Sequence, residues 1–411
     1  MTAVLGPVEP PPPQSRAMTW FRHNLVRSKL DAVVTVASAL VVGYLLYRTV
    51  RFVLVTGRWE IVRVNLTLFL VGPYPRDDLW RPVLAVIGVA GYCGLFAGVI
   101  HARQVAVGVD EPGRPVAQRV LDLVRRLWPL LVGVAVLLGL AGTPAPWLVA
   151  LGVVVAGTLG RLVGGRLPRR SLGPLILVGL VGSVVMIYVL TRPLGWDKWG
   201  GLMMNIFLAA ISLALCFPLG VLLALGRRSK LPLVRWISVV YIELFRGVPL
   251  YVLLLMAGFA LGFFVPQSVA PGLVARGIAI FTLFTAAYVA EIVRGGLQSL
   301  PAGQAEAARA LGLSPVRVTF FVVLPQALRN VIPALVGQFI SLFKDTTLAG
   351  AALGLLDLLS AADAATAQPG FRGQQLYAET AVFVMFLFWM GSITMSRESQ
   401  RLETKLGVGR R

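Results

Sequence analysis

Residues 202–225 read LMMNIFLAAISLALCFPLGVLLAL, without a single Asp, Glu, Lys or Arg. No folded domain in water needs such a run, whereas an α-helix of roughly 20 apolar residues is what crosses about 30 Å of hydrocarbon. Comparable stretches recur at 31–50, 83–100, 128–143, 146–161, 172–191, 237–264, 277–295, 328–348 and 376–395. They lack the period-two alternation of outer-membrane strands, so the expected fold is all-α, a polytopic transmembrane helical bundle. The runs at 128–143 and 146–161 are short and joined by GTPAP, so they form either two spans or a hairpin that does not cross. The expected count is therefore eight or ten spans, and both counts leave every other orientation unchanged.

Composition agrees, at 57% hydrophobic and 14% charged, with a mean hydropathy of +0.80. The net charge of +20 raises the question of nucleic acid, but the basic residues lie in short connections and no basic run carries interleaved aromatics. Nucleic acid is thus not an expected partner, and the charge instead reports topology. With the N-terminus inside, 26 of the 38 Lys and Arg residues fall in cytoplasmic segments and 10 in external ones. Both termini, and the segment 303–326, are therefore expected in the cytoplasm.

The Pro-rich start MTAVLGPVEPPPPQSRAMTW has no compact apolar core with a small-residue cleavage site, so 1–30 reads as a disordered cytoplasmic tail and not a signal peptide. Cys93 and Cys216 lie in different spans, and His23 and His101 have no partner at i, i+4, so no metal site is expected. The stretch WEIVRVNLTLFLVG in the 50–82 connection is partly amphipathic and is expected to lie on the outer surface. Its NLT triplet at Asn65 is read as a chance match to a glycosylation site.

One segment does not suit hydrocarbon. GQAEAARALGLSPVRVTFFVVLPQ, residues 303–326, opens after Pro301 with strong helix formers, carrying Glu306 near the start and Arg309 near the end. Gly312 stands where a left-handed glycine closes a helix, with Leu313 available for the accompanying apolar contact. Ser314 and Pro315 suit the start of a second helix, and Pro325 is expected to mark a bend into the next span. The pattern is a helix–turn–helix at the membrane surface, either a simple connector or a docking element for another protein.

Glu306-Ala307-Ala308, then Gly312, then Leu324-Pro325 resemble the EAA loop of bacterial ABC importer permeases. The stretches IELFRGVPLYVLLL, AYVAEIVRGGLQSLPAGQAEAARALG and LPQALRNVIPALVGQFISLFKDTTLAG extend the resemblance to the polar amino-acid branch, from Trp196 to Leu406. LFLVGPYPRDDLWRPVLAVIG is similar to the long-permease variant of general L-amino-acid importers. Departures are small: Val322 where the family often has Ile, Asn205 where threonine is common, and Thr347 where serine is as frequent.

The resemblance implies a type I importer permease core at 196–396, preceded by an accessory transmembrane region at 31–195 and followed by a basic cytoplasmic tail at 397–411. It implies a second permease subunit, a different chain by the habit of long permeases in this family, together with ABC ATPase subunits and an external or periplasmic amino-acid-binding protein. Glu306, Ala307, Ala308, Gly312, Leu324 and Pro325 would then couple this chain to the ATPase. No GxxxxGK[ST] phosphate loop occurs in the sequence, so ATP and Mg are expected on the partner and no cofactor on this chain. HExxH, GxSxG and paired carboxylates within a span are also absent, so the chain is expected to be a non-catalytic subunit of the cytoplasmic (inner) membrane. The competing reading is a self-sufficient ion-coupled secondary transporter or channel, which would leave 303–326 without a task.

Ionisable and polar residues inside spans mark a candidate solute path. Glu243 and Arg246 lie at i, i+3 near the end of one span, and Glu291 and Arg294 repeat the spacing in another. They form either an inner gate or interfacial salt bridges. Gln338 and Ser341 share a helix face, and Lys344 with Asp345 closes the same span. Lys344 has three open roles: attracting a solute carboxylate, pairing with Asp345, or snorkelling to the interface.

Overall fold

The computed structural model describes residues 27–106, 146–168, 171–191, 195–266 and 270–406, with isolated positions elsewhere. The expected N-terminal tail and the span expected at 128–143 lie outside the described residues but for a few positions. The chain divides into two compact units, one ending at Trp59 and one beginning at Glu60.

In the first unit α1 (Lys29–Arg51) starts at a capping box, in which Ser28 Oγ accepts from the Asp31 amide and Asp31 Oδ2 from the Ser28 amide. A π-helical turn, Phe52–Thr56, extends it, and Trp59 Nε1 donates to the Val53 carbonyl at 2.8 Å.

The second unit contains α2 (Glu60–Val64), α3 (Leu66–Val71), α4 (Trp80–Ala106), α5 (Pro146–Arg166), α6 (Leu172–Thr191), α7 (Gly201–Arg227), α8 (Pro232–Gly247), α9 (Leu250–Leu255) and α10 (Leu273–Gln298). After these come α11 (Ala302–Ala310), α12 (Leu324–Asp345), α13 (Leu348–Leu353), α14 (Leu358–Thr366) and α15 (Tyr377–Leu406). Among the described residues seven helical stretches are long and apolar enough to cross a membrane, or eight if α8 and α9 count as one broken span. No strand occurs among them beyond an isolated bridge of Gly201 with Asp357.

Three sequence expectations need correction. The span expected at 237–264 is not one helix: it turns by 101° between α8 and the segment beginning at Leu250. Pro249 has no amide hydrogen and forces Val248 out of the helical region, to φ −113° and ψ 135°. Pro325, by contrast, marks no turn, since Pro315–Asp345 runs as a single span. The residues ahead of it, Val318–Val323, adopt a π-helix whose longer hydrogen-bond step absorbs the proline's missing donor. Third, 60–71 does not lie free on the surface. Ile61, Val62, Leu66 and Phe69 are buried, and Phe69 meets the ring of Phe383 in α15 at 5.2 Å. Asn65 is buried too and accepts from Gln368 Nε2 at 2.7 Å, so the NLT triplet has a structural use.

The core sits on α7 and α10. Toward the start of α7 it gathers Tyr74, Trp199, Met204, Leu208, Phe281 and Leu342; toward its end, Cys216, Ala224, Ile242, Val289, Val293 and Ala327. The start of α7 is tied to the α13–α14 connection: the Gly201 amide donates to Leu356 O at 2.8 Å, and fully buried Asn205 accepts from the Leu358 amide at 2.8 Å. Asn205 Nδ2 also donates to Thr346 Oγ1 at 3.0 Å. The helix α15 continues through Leu406, so most of the expected tail 397–411 is helical.

Candidate functional site

The ends of α7, α8 and α10 converge with the segment that follows α10, and the sequence's most polar features meet there. Glu291 Oε1 takes Arg227 Nη1 at 2.6 Å, and its Oε2 takes Arg294 Nη2 at 2.7 Å. Arg246 Nη1 stands 3.5 Å from the same carboxylate, with its guanidinium 5.7 Å from the Tyr288 ring centroid. Arg227 also reaches Glu243 at 3.1 Å. The four residues expected as two separate pairs therefore form one network. The reason is geometric: Glu243 and Arg246 each reach across to another helix instead of pairing along α8.

Arg227 completes the network and escaped sequence reasoning. Its only sequence signal is its place in the last turn of an apolar helix, GRRS, where a basic residue has an ordinary topological explanation. Three guanidiniums face two carboxylates, an excess of one positive charge. Glu291 and Arg227 each link the three helix ends, while Arg246, at the longest distance, is the contact most readily exchanged for another carboxylate.

Beyond α10 the chain forms α11 and reverses. The Gly312 amide donates to Arg309 O at 2.9 Å and the Leu313 amide to Ala308 O at 3.2 Å, the paired bonds of a Schellman closure. Gly312 has φ +79°, a conformation that favours glycine. Ser314 occupies the N-cap position without a side-chain capping bond, and Pro315 follows as the first helical residue. Ala308 is buried under α11, and Leu324 is buried where the next span begins. Glu306 and Ala307 point outward, Pro325 is exposed, and Leu311 is 83% exposed at the tip. Beside them lies a cleft of about 530 Å³ lined by Arg228, Lys230, Arg309, Val316 and Thr319 among others.

The remaining candidates on α12 do not join this group. Gln338 and Ser341 are half-buried along the helix, Lys344 is exposed and Asp345 half-buried at its far end. Lys344 and Asp345 are neighbours at that end without a close ion pair among the described residues, and the three roles stated for the lysine stay open.

Residues 216–397, which carry the charge network and the α11 loop, match the family described as binding-protein-dependent transport system inner membrane component. The inner membrane amino-acid ABC transporter permease protein YhdY of Escherichia coli is 32% identical over 100% of this chain and 99% of its own length. The chain belongs to the amino-acid ABC transporter permeases. The glutamate/glutamine/aspartate/asparagine transport system permease BztC of Rhodobacter capsulatus is also 32% identical, over 98% of this chain and 97% of its own. A crystal structure of an amino acid ABC transporter with histidines is 29% identical, covering 49% of this chain and 90% of its own, with a TM-score of 0.44. Because YhdY aligns along the whole chain, the helices ahead of residue 196 belong to the architecture of this permease and its relative alike. It is an integral membrane permease of the ABC importer class.

Proposed function

We propose that this permease carries polar L-amino acids across the cytoplasmic membrane and is driven by a separate ABC ATPase that docks on 303–326. The observation that carries the reading is the outward face of α11: Glu306, Ala307 and Leu311 are exposed while Ala308 and the Schellman closure hold the helix to the body. An exposed leucine beside the small exposed Ala307 and Ala310 invites close approach by another protein, and a rigidly closed turn passes the partner's movement into the next span. Pro315–Asp345 runs on from that turn as one span, which supports its use as a lever.

For ATP to drive the membrane helices, α11 must bind the ATPase's two conformations with different affinity, because equal affinity shifts no equilibrium. ATP and Mg act on the partner. The network around Glu291 lies at the ends of the helices next to this loop, and serves as an inner gate that opens when α7, α8 and α10 separate. A relative named for glutamate, glutamine, aspartate and asparagine transport supports polar amino acids as the cargo. An external binding protein delivers the solute, a second and different permease completes the pore, and the charge distribution supports both termini on the cytoplasmic side.

The test is uptake of radiolabelled glutamate and glutamine by proteoliposomes containing the full assembly, with Glu306→Lys as the variant. Expected is loss of ATP-driven uptake and of the co-purifying ATPase, with the chain still folded in the membrane. Uptake that persists without ATP under an ion gradient would instead establish a secondary transporter.

A further inference from the structure

A groove of about 400 Å³ separates α4 from α6, well away from the charge network. Its walls are apolar, with Leu84, Gly88 and Val89 on α4 facing Val178, Gly182 and Met186 on α6. Tyr92 forms the floor, held by a hydrogen bond from its hydroxyl to Leu175 O at 3.0 Å. From Trp80 at the mouth to Tyr92 the helix rises by about 18 Å at 1.5 Å per residue, close to one leaflet of a hydrocarbon core about 30 Å thick. The groove is thus as deep as one acyl chain is long, and it offers a polar solute almost nothing to bond.

The mouth is built differently. Arg81 Nε is paired with Asp78 Oδ1 at 3.0 Å, and the guanidinium stands 5.3 Å from the Trp80 ring centroid. Trp80 itself is 53% exposed, as befits an aromatic ring at a membrane interface. The turn just before it, Arg76–Asp78, also carries Arg76 and Asp77, so the stretch 76–81 leading to the mouth holds both signs in equal number. A guanidinium paired through Nε still has terminal N–H donors that recognise phosphate, and a neighbouring carboxylate recognises an ammonium group.

We propose that this groove is a phospholipid site, in which one acyl chain lies between α4 and α6 while Arg81 takes the phosphate and Asp78 the ammonium of a zwitterionic headgroup. Phosphatidylethanolamine has both groups, whereas phosphatidylglycerol would place net negative charge against an already balanced mouth. The bound lipid would brace α6 against α4 above the Tyr92–Leu175 contact.

The intact transporter, purified with its partner subunits in mild detergent, is titrated with phosphatidylethanolamine and the retained lipids are counted by native mass spectrometry. Gly182→Phe is the principal variant, because Gly182 lines the groove and a Cβ added there meets nothing within 4 Å, so the ring is directed into open space. Expected is the loss of one retained lipid in Gly182→Phe and in Arg81→Gln, its recovery in Arg81→Lys, and weaker retention of phosphatidylglycerol. An unchanged lipid count in Gly182→Phe overturns the site. So does release of the second permease by Gly182→Phe in place of a lipid, which would make the groove a protein interface.

Discussion

The pair α4–α5 and the pair α7–α10 are both built from apolar helices, yet they pack by different means. In their most apolar stretches α4 and α5 are 11% and 6% buried, against 33% and 56% for α7 and α10. The first pair meets backbone to backbone: a side chain at Gly94 would strike the Gly157 carbonyl, and one at Gly160 the Gly91 carbonyl. Small residues of this kind let helices approach where lipid competes equally well for apolar surface. The second pair interleaves larger side chains, as where Gly220 receives Val289, and adds polar links, Ser212 to Ile278 O and Arg227 to Glu291. Apolarity therefore places both pairs in the membrane, while part-buried polar links distinguish the pair that reaches the charge network.

The largest expected effect comes from removing the group on which three helix ends converge. Glu291→Gln leaves the guanidiniums of Arg227, Arg246 and Arg294 facing a neutral amide, and because these pairs are only part-buried the stability cost, about 2 kcal/mol, lies between that of a surface pair and that of a buried one. Uptake by proteoliposomes should collapse and the thermal unfolding midpoint should fall. Next is Gly94→Leu, which forces α4 from α5 at about 2 kcal/mol of overpacking strain. Here limited proteolysis should speed up between the two helices while ATP-driven uptake survives. Uptake falling as far in Gly94→Leu as in Glu291→Gln would erase the functional distinction between the pairs.

How much of this was legible in the sequence follows from the range of the interactions. The long helices at α4, α7, α10 and α15 answer to local hydrophobicity, and the Gly312 closure to a local backbone requirement, so both could be read directly. The EAA pattern was legible for the same reason, as a contiguous motif on one exposed helix. The charge network was only half legible: i, i+3 spacing drew Glu243 toward Arg246, whereas the actual partners stand on other helices, and Arg227 carried no local sign of its role. Prolines were ambiguous in both directions. Pro249 breaks its span and Pro325 does not, because a π-helical stretch ahead of Pro325 supplies the slack that Val248 lacks. Asn205 stood out as a departure from threonine, but its partners Thr346 and Leu358 lie more than a hundred residues away.

Asn205 also sharpens the comparison: it bridges two distant segments at full burial, whereas the Tyr92 link from α4 to Leu175 O is only part-buried. Asn205→Ala leaves the Leu358 amide without its acceptor and Thr346 Oγ1 without its donor, at about 2 kcal/mol for the lost bonds and the exposed need. The thermal midpoint should drop, and Asn205→Thr should restore part of it. A midpoint unchanged in Asn205→Ala would show that the start of α7 is held by packing alone.

The smallest effect is expected at Asp357, between the spans α12 and α15. Its Oδ1 caps α14 by accepting from the Ser360 amide at 2.8 Å, but its Oδ2 is buried without a hydrogen-bond partner. Burial pushes the carboxyl above its ordinary value of 3.8, against the opposing pull of hydrogen bonds from Ser360, Gly350 and Asn205. A carboxyl raised on folding binds its proton more tightly in the folded state, so stability is greatest with the group protonated and declines as pH rises from 3.8 through the folded value. Asp357→Asn keeps an oxygen for the cap and removes the charge, so its midpoint should fall less than that of the unmodified chain between about pH 4 and pH 7. Parallel pH profiles for the two proteins would mean that Oδ2 finds compensation in the assembled transporter, and that the polar links of the core are more fully satisfied than the single chain shows.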